Sequence, residues 1–184
     1  MRRILLASKS PRRIELLGRL VDAFDTEESL IEEKSAEQGP EKLVCGLAGL
    51  KAVDVFSRNP DAVVIGADTI VAADGRILGK PRDRAEALEM VTLLAGKDHM
   101  VFTGVCVIAG DFRKTICSKT LVTFDKMTKE EIDAYIMEGD WSGKAGAYGI
   151  QGVAAKHITG IAGDYYNVMG LPLNVLYKLL KEIM

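Results

Sequence analysis

Apolar residues occur along the chain in short blocks whose spacing alternates between strand-like and helix-like periods. Residues 4–7, Ile-Leu-Leu-Ala, form a first run of strand length, and Ser10-Pro11 just after it supply an N-cap and a first-turn proline. The helix this predicts carries Ile14, Leu16, Leu17 and Leu20. Residues 27–39 are polar and acidic and read as a loop or an edge segment. Pro40 restarts a helix rich in Leu and Ala, which runs to about Phe56, where Ser57-Arg58-Asn59-Pro60 breaks it. Residues 63–67, Val-Val-Ile-Gly-Ala, are a continuous apolar run of the buried-strand type. Residues 70–72, the turn Ala73-Asp74-Gly75 and Ile77-Leu78 predict a hairpin.

The alternation continues. Residues 83–95 read as a helix stopped by Gly96, followed by two strands, about 99–108 and 113–124, joined at Ala109-Gly110-Asp111. Thr128 and Glu131 have the spacing of a capping box that opens a helix to about Met137. A last helix begins at Pro172 and carries Leu173, Val175, Leu176, Leu179 and Leu180. No internal repeat, low-complexity tract or linker interrupts the pattern. Hairpins mixed with crossover helices predict an α/β protein with a mixed sheet, and 184 residues suffice for one domain with a full core. One stretch differs from the rest: seven of the 18 glycines fall between Gly143 and Gly170. Such density, well above the typical ~7%, marks backbone that turns tightly or approaches a ligand closely.

Charge narrows the function. Lys plus Arg number 24 and Asp plus Glu 26, for a net charge of −2. A nucleic-acid-coating protein would need a basic excess, so that class is excluded, whereas a small phosphorylated ligand needs only a few converging cations. No apolar run approaches the roughly 18 residues of a membrane span, and residues 4–7 behind Met1-Arg2-Arg3 are too short for a signal peptide. Cys45, Cys106 and Cys117 are odd in number and lack metal spacing. They read as reduced core cysteines, as expected in the cytoplasm.

Four places could carry chemistry. Ser8 and Ser10 precede a helix whose first turn holds Arg12 and Arg13. Cations there oppose the helix dipole, so an external anion is one explanation and two solvated surface arginines the other. Asp68, followed by Thr69, stands at the end of the apolar strand, where α/β folds place ligands. With Lys80 in the turn Gly79-Lys80-Pro81-Arg82, it offers the minimum for phosphoanhydride hydrolysis; an Asp that merely caps a turn is the alternative. Glu33, in the polar loop, is a second carboxylate for Mg²⁺, and Lys51 is open between a solvated face and a cleft. Finally, residues 143–152 place Lys144, Tyr148 and Gln151 on a glycine-permitted loop whose spacing fits neither a P-loop nor a dinucleotide fingerprint. Gln151 can read an amide-like base edge, while Tyr148 and Ile150 could equally be core residues of a strand. His99 and His157 have no partner at catalytic or metal spacing and read as structural.

Taken together, residues 8–13 (SKSPRR), 66–71 (GADTIV), 79–81 (GKP), 144–152 (KAGAYGIQG) and 167–172 (NVMGLP) resemble the Maf family of nucleoside triphosphate pyrophosphatases, with the motifs in order along essentially the whole chain. The resemblance implies a fold like the inosine triphosphate pyrophosphatases: an elongated mixed β-sheet with flanking helices and two lobes around a central cleft, often dimeric. It implies hydrolysis between the α and β phosphates. Asp68 would be the proton acceptor and, with Glu33, the seat of Mg²⁺ or Mn²⁺. Ser8, Ser10, Arg12, Arg13, Lys51, Lys80 and Lys144 would line the phosphate site. Arg12, Thr69 and Gln151 match the subfamily acting on dTTP and UTP, with Gln151 and Thr69 facing the base. The rivals are a 7-methyl-GTP pyrophosphatase of the same family and a non-enzymatic inhibitor of septum formation and cell division.

Overall fold

In the computed structural model, which describes residues 2–31 and 38–183, the chain is a mixed α/β protein. Among the described residues the seven strands are β1 (Ile4–Leu6), β2 (Asp25–Thr26), β3 (Val63–Ala73), β4 (Arg76–Leu78), β5 (Asp98–Ala109), β6 (Phe112–Phe124) and β7 (Ile158–Ala162). They form one sheet in the order β2-β1-β3-β5-β6-β7, with β4 paired to β3. β1 runs parallel to β2 and β3, whereas β4 and β7 pair antiparallel with their neighbours. The helices are α1 (Pro11–Leu17), α2 (Pro40–Arg58), α3 (Arg84–Leu94), α4 (Lys129–Glu138), α5 (Tyr165–Met169) and α6 (Leu173–Lys181). The mixed sheet with flanking helices read from the sequence is therefore what the chain forms.

Local chemistry accounts for several boundaries. Asp83 caps α3 by accepting from the Glu86 amide at 2.9 Å. The box at α4 is complete: Thr128 Oγ1 accepts from the Glu131 amide at 3.2 Å, and Glu131 accepts from the Thr128 amide at 2.8 Å. Three readings change. Residues 63–73 are one unbroken strand rather than a strand followed by a separate hairpin arm, because the neighbouring strands β1 and β4 pair with its two ends. β2, β7 and α5 are additional elements; β2 and β7 carry mostly exposed residues, so no buried apolar run announces them. Ser10 stands at the N-cap of α1, yet its hydroxyl makes no capping bond.

The chain divides into two compact units: residues 1–68, 103–118 and 170–184, and residues 69–102 and 119–169. In the first, α2 lies directly against the sheet. Of its seven buried residues, all but Gly49, namely Val44, Leu47, Ala48, Lys51, Ala52 and Val55, follow the spacing of one helical face. Two glycines let it come close. A methyl at Gly66 would meet the Ala48 carbonyl oxygen at 2.3 Å, and one at Gly104 the Val44 carbonyl oxygen at 2.3 Å. The second unit has its own core, in which Val71, Val91, Leu94, Val101, Val122 and Tyr135 are buried. There His99, Phe124 and Tyr148 meet edge to face, with ring centroids 4.8–5.3 Å apart.

Candidate active site

Of the seven buried residues of α2, Lys51 alone is charged. A lysine is almost never buried without a partner. A partner is Asp68, two residues beyond Gly66 and so on the same face of β3. The close approach at Gly66 brings Lys51 Nζ to 2.6 Å from Asp68 Oδ1, and both residues are only 7% exposed. Lys51 is thus not on a solvated face. Among the described residues Asp68 Oδ2 makes no hydrogen bond, so this carboxylate is fixed through one oxygen and offers the other. Such a group can accept a proton or hold a hard cation.

Ser8, Ser10, Arg12 and Arg13 follow β1 in the same unit. Ser8 Oγ accepts from the Ser10 amide at 3.2 Å and from Arg13 Nη1 at 3.4 Å. Arg13 Nε donates to the Gly170 carbonyl at 2.9 Å. Arg13 is thus tied to the backbone that precedes α6, a contact across 157 residues that no local pattern announces. Arg12 is half-buried on α1.

The second unit holds the other candidates. Thr69 is half-buried on β3 and Lys80 is exposed just after β4. The glycine-rich segment is anchored to that turn, since the Gly146 amide donates to the Gly79 carbonyl at 3.0 Å. Gln151 is exposed, while Tyr148 and Ile150 are buried, so the core reading holds for those two. Lys144 is engaged differently from a free phosphate ligand: its ammonium contacts Asp140 Oδ1 at 2.7 Å and also the Asp140 carbonyl. Asp140 carries no motif in the sequence and stands out only through these contacts. His99 is buried and bonds the Tyr148 hydroxyl at 2.8 Å, which makes it a core residue, and His157 is buried too. Burial drives the His99 pKa down from its ordinary 6.5 to about 4, and pushes the Tyr148 and Tyr135 phenols up. Cys45, Cys106 and Cys117 are free thiols, and desolvation raises the pKa of the first two.

Glu33, the second carboxylate expected at a metal, lies outside the described residues. Among those described, no three His, Cys, Asp or Glu residues gather as a metal nest. Asp68 by its chemistry suits a hard divalent cation that takes its remaining ligands from water and phosphate.

The fold is also that of the Staphylococcus aureus Ham1 protein, whose structure matches with a TM-score of 0.56 over 100% of both chains at 10% identity. A family model described as Maf-like protein matches residues 3–183. A Bacillus anthracis (strain CDC 684 / NRRL 3495) protein named dTTP/UTP pyrophosphatase is 49% identical over 183 residues, which span 99% of this chain and 96% of its own. The Bacillus cereus (strain ZK / E33L) protein of the same name matches to the same extent. The chain belongs to the Maf family.

Proposed function

We propose that this chain hydrolyses dTTP and UTP at the α–β phosphoanhydride, releasing the nucleoside monophosphate and pyrophosphate. The observation that carries the reading is the buried Lys51–Asp68 pair, at full-length 49% identity to proteins named for that activity. Asp68 Oδ2 takes a proton from a water while the water oxygen bonds to the α-phosphorus. The bond from that phosphorus to the bridging oxygen then breaks, and pyrophosphate leaves. Lys51 holds Asp68 Oδ1 so that the accepting oxygen keeps its orientation. Arg12, Arg13 and Lys80 offset charge on the departing pyrophosphate, with the hydroxyls of Ser8 and Ser10 as further phosphate donors. Thr69 and Gln151 meet the base edge, a pattern of donors and acceptors that suits a pyrimidine. Mg²⁺ or Mn²⁺ held by Asp68 and Glu33 would add charge neutralisation on the phosphate oxygens. The same reading places the chain in the cytoplasm, acting on free nucleotides and assembled as a homodimer.

The test is pyrophosphate release from dTTP, UTP, ATP, GTP and 7-methyl-GTP, with added Mg²⁺ or Mn²⁺ and with a chelator. The first two should lead by about 10²-fold or more in kcat/KM. Asp68→Asn should fold and lose roughly 10²–10⁴ in rate. A lead by 7-methyl-GTP would move the substrate class, and no turnover of any nucleotide would overturn the enzyme reading. Equal rates in chelator would remove the metal.

A further inference from the structure

Gln151 sits in the four-residue stretch Gly149-Ile150-Gln151-Gly152, and what supports that stretch is the Asp140–Lys144 ion pair. The pair is well shielded, with side chains 22% and 15% exposed. Each partner presses on one of the two glycines. A methyl on Gly149 would lie 2.9 Å from Lys144 Cε and 3.1 Å from its Cδ. A methyl on Gly152 would lie 2.3 Å from Asp140 Oδ2. The same oxygen accepts from the Val153 amide at 3.1 Å, and the Gly152 amide closes the turn on the Gly149 carbonyl at 3.0 Å. The lysine stem therefore lies under one end of the turn and the carboxylate under the other, with Ile150 buried and Gln151 exposed between them.

This arrangement leaves little of Lys144 for a substrate. Its ammonium is occupied by the carboxylate and the carbonyl of Asp140, and its stem is in contact with backbone. We infer that Asp140 and Lys144 are positioning residues that hold the Gln151 turn in its base-reading conformation, and that Lys144 does not bind phosphate. Base selection by this chain thus depends on a carboxylate eleven residues before the glutamine, which touches no nucleotide. The inference rests on the proposed role of Gln151, and two independent readouts separate the two.

The first readout is amide hydrogen exchange at Val153 in the full chain. Asp140→Ala should speed it at least tenfold, because the acceptor of that amide is gone. The second is kcat/KM for dTTP against ATP. Lys144→Met keeps the stem beneath Gly149 and frees the carboxylate, so it should lower the dTTP preference roughly tenfold, chiefly through KM for dTTP. A phosphate ligand would instead slow both nucleotides equally. In a Gln151→Ala background neither Asp140→Ala nor Lys144→Met should lower the preference further. Equal losses on dTTP and ATP in Lys144→Met, persisting without Gln151, would overturn the inference, as would unchanged exchange at Val153 in Asp140→Ala. If Gln151→Ala alone leaves the preference intact, base reading by Gln151 fails, and with it the selectivity role of the pair; the Val153 exchange then tells whether the pair still holds the turn.

Discussion

Burying a lysine in the middle of an apolar helical face is unfavourable unless its charge is met, and Lys51 Nζ donates to Asp68 Oδ1 at 2.6 Å. Truncating one partner of a buried pair leaves the other charge uncompensated, at a cost of about 3–5 kcal/mol. Lys51→Met should therefore lower the unfolding free energy by about 3 kcal/mol or more in urea, and should abolish most hydrolysis as Asp68 loses its anchor. Lys114 pairs with Glu182 at 2.7 Å but both are over 40% exposed, so Lys114→Met should cost under about 1 kcal/mol. Equal costs for the two variants would mean that burial of the Lys51–Asp68 pair contributes nothing. The residue pattern did contain this result: positions 44, 47, 48, 51, 52 and 55 form one helical stripe, and only the lysine breaks it. Asp140 had no such signal, because it lies past the end of α4, where no periodicity assigns a direction to its side chain.

At the scale of elements, the decisive contact is α2 on the sheet. Gly66 and Gly104 each face a carbonyl oxygen of α2 at a distance that admits no methyl. Gly66→Ala must push the helix outward, carrying Lys51 away from Asp68, and should destabilise by about 3 kcal/mol while removing activity. Gly160, on β7, has nothing within 4 Å of where a methyl would stand. Gly160→Ala should accordingly be neutral or stabilise by up to about 1 kcal/mol. Thermal unfolding of the pair of variants checks this, and a harmless Gly66→Ala would contradict the close packing. The helices other than α5 were legible from their apolar spacing and their breakers. β2 and β7 were not, since they are short or exposed and owe their strand conformation to the partners beside them.

At the scale of the whole molecule, stability should depend on pH through His99. Its buried ring, against Phe124 and Tyr148, has a pKa near 4, below the 6.5 of an unfolded histidine. Above pH 6.5 both states are neutral and the packing contributes fully. As pH falls from 6.5 toward 4 the unfolded chain binds the proton first, so stability is lost across that window, by about 3 kcal/mol in total. Urea midpoints at pH 7.5, 5.5 and 4.5 should show this slope in the wild type and a weaker one in His99→Gln. Activity at pH 7.5 should barely respond to His99→Gln. An unchanged slope would mean that other groups set the acid limit.

The sequence by itself determined the helices other than α5, the strands β5 and β6, the mixed α/β class and the family, because periodicity, caps and ordered motifs are properties of neighbouring residues. It also singled out Asp68, Lys80 and Gln151 as chemistry-bearing positions. The tertiary structure decided what those residues touch. Lys51 meets Asp68 across 17 residues, Arg13 meets the Gly170 carbonyl across 157, and Lys144 is held by Asp140. Side-chain partners depend on which backbones lie against one another. That is settled by close packing of distant segments, as at Gly66 against Ala48, for which local pattern holds no record.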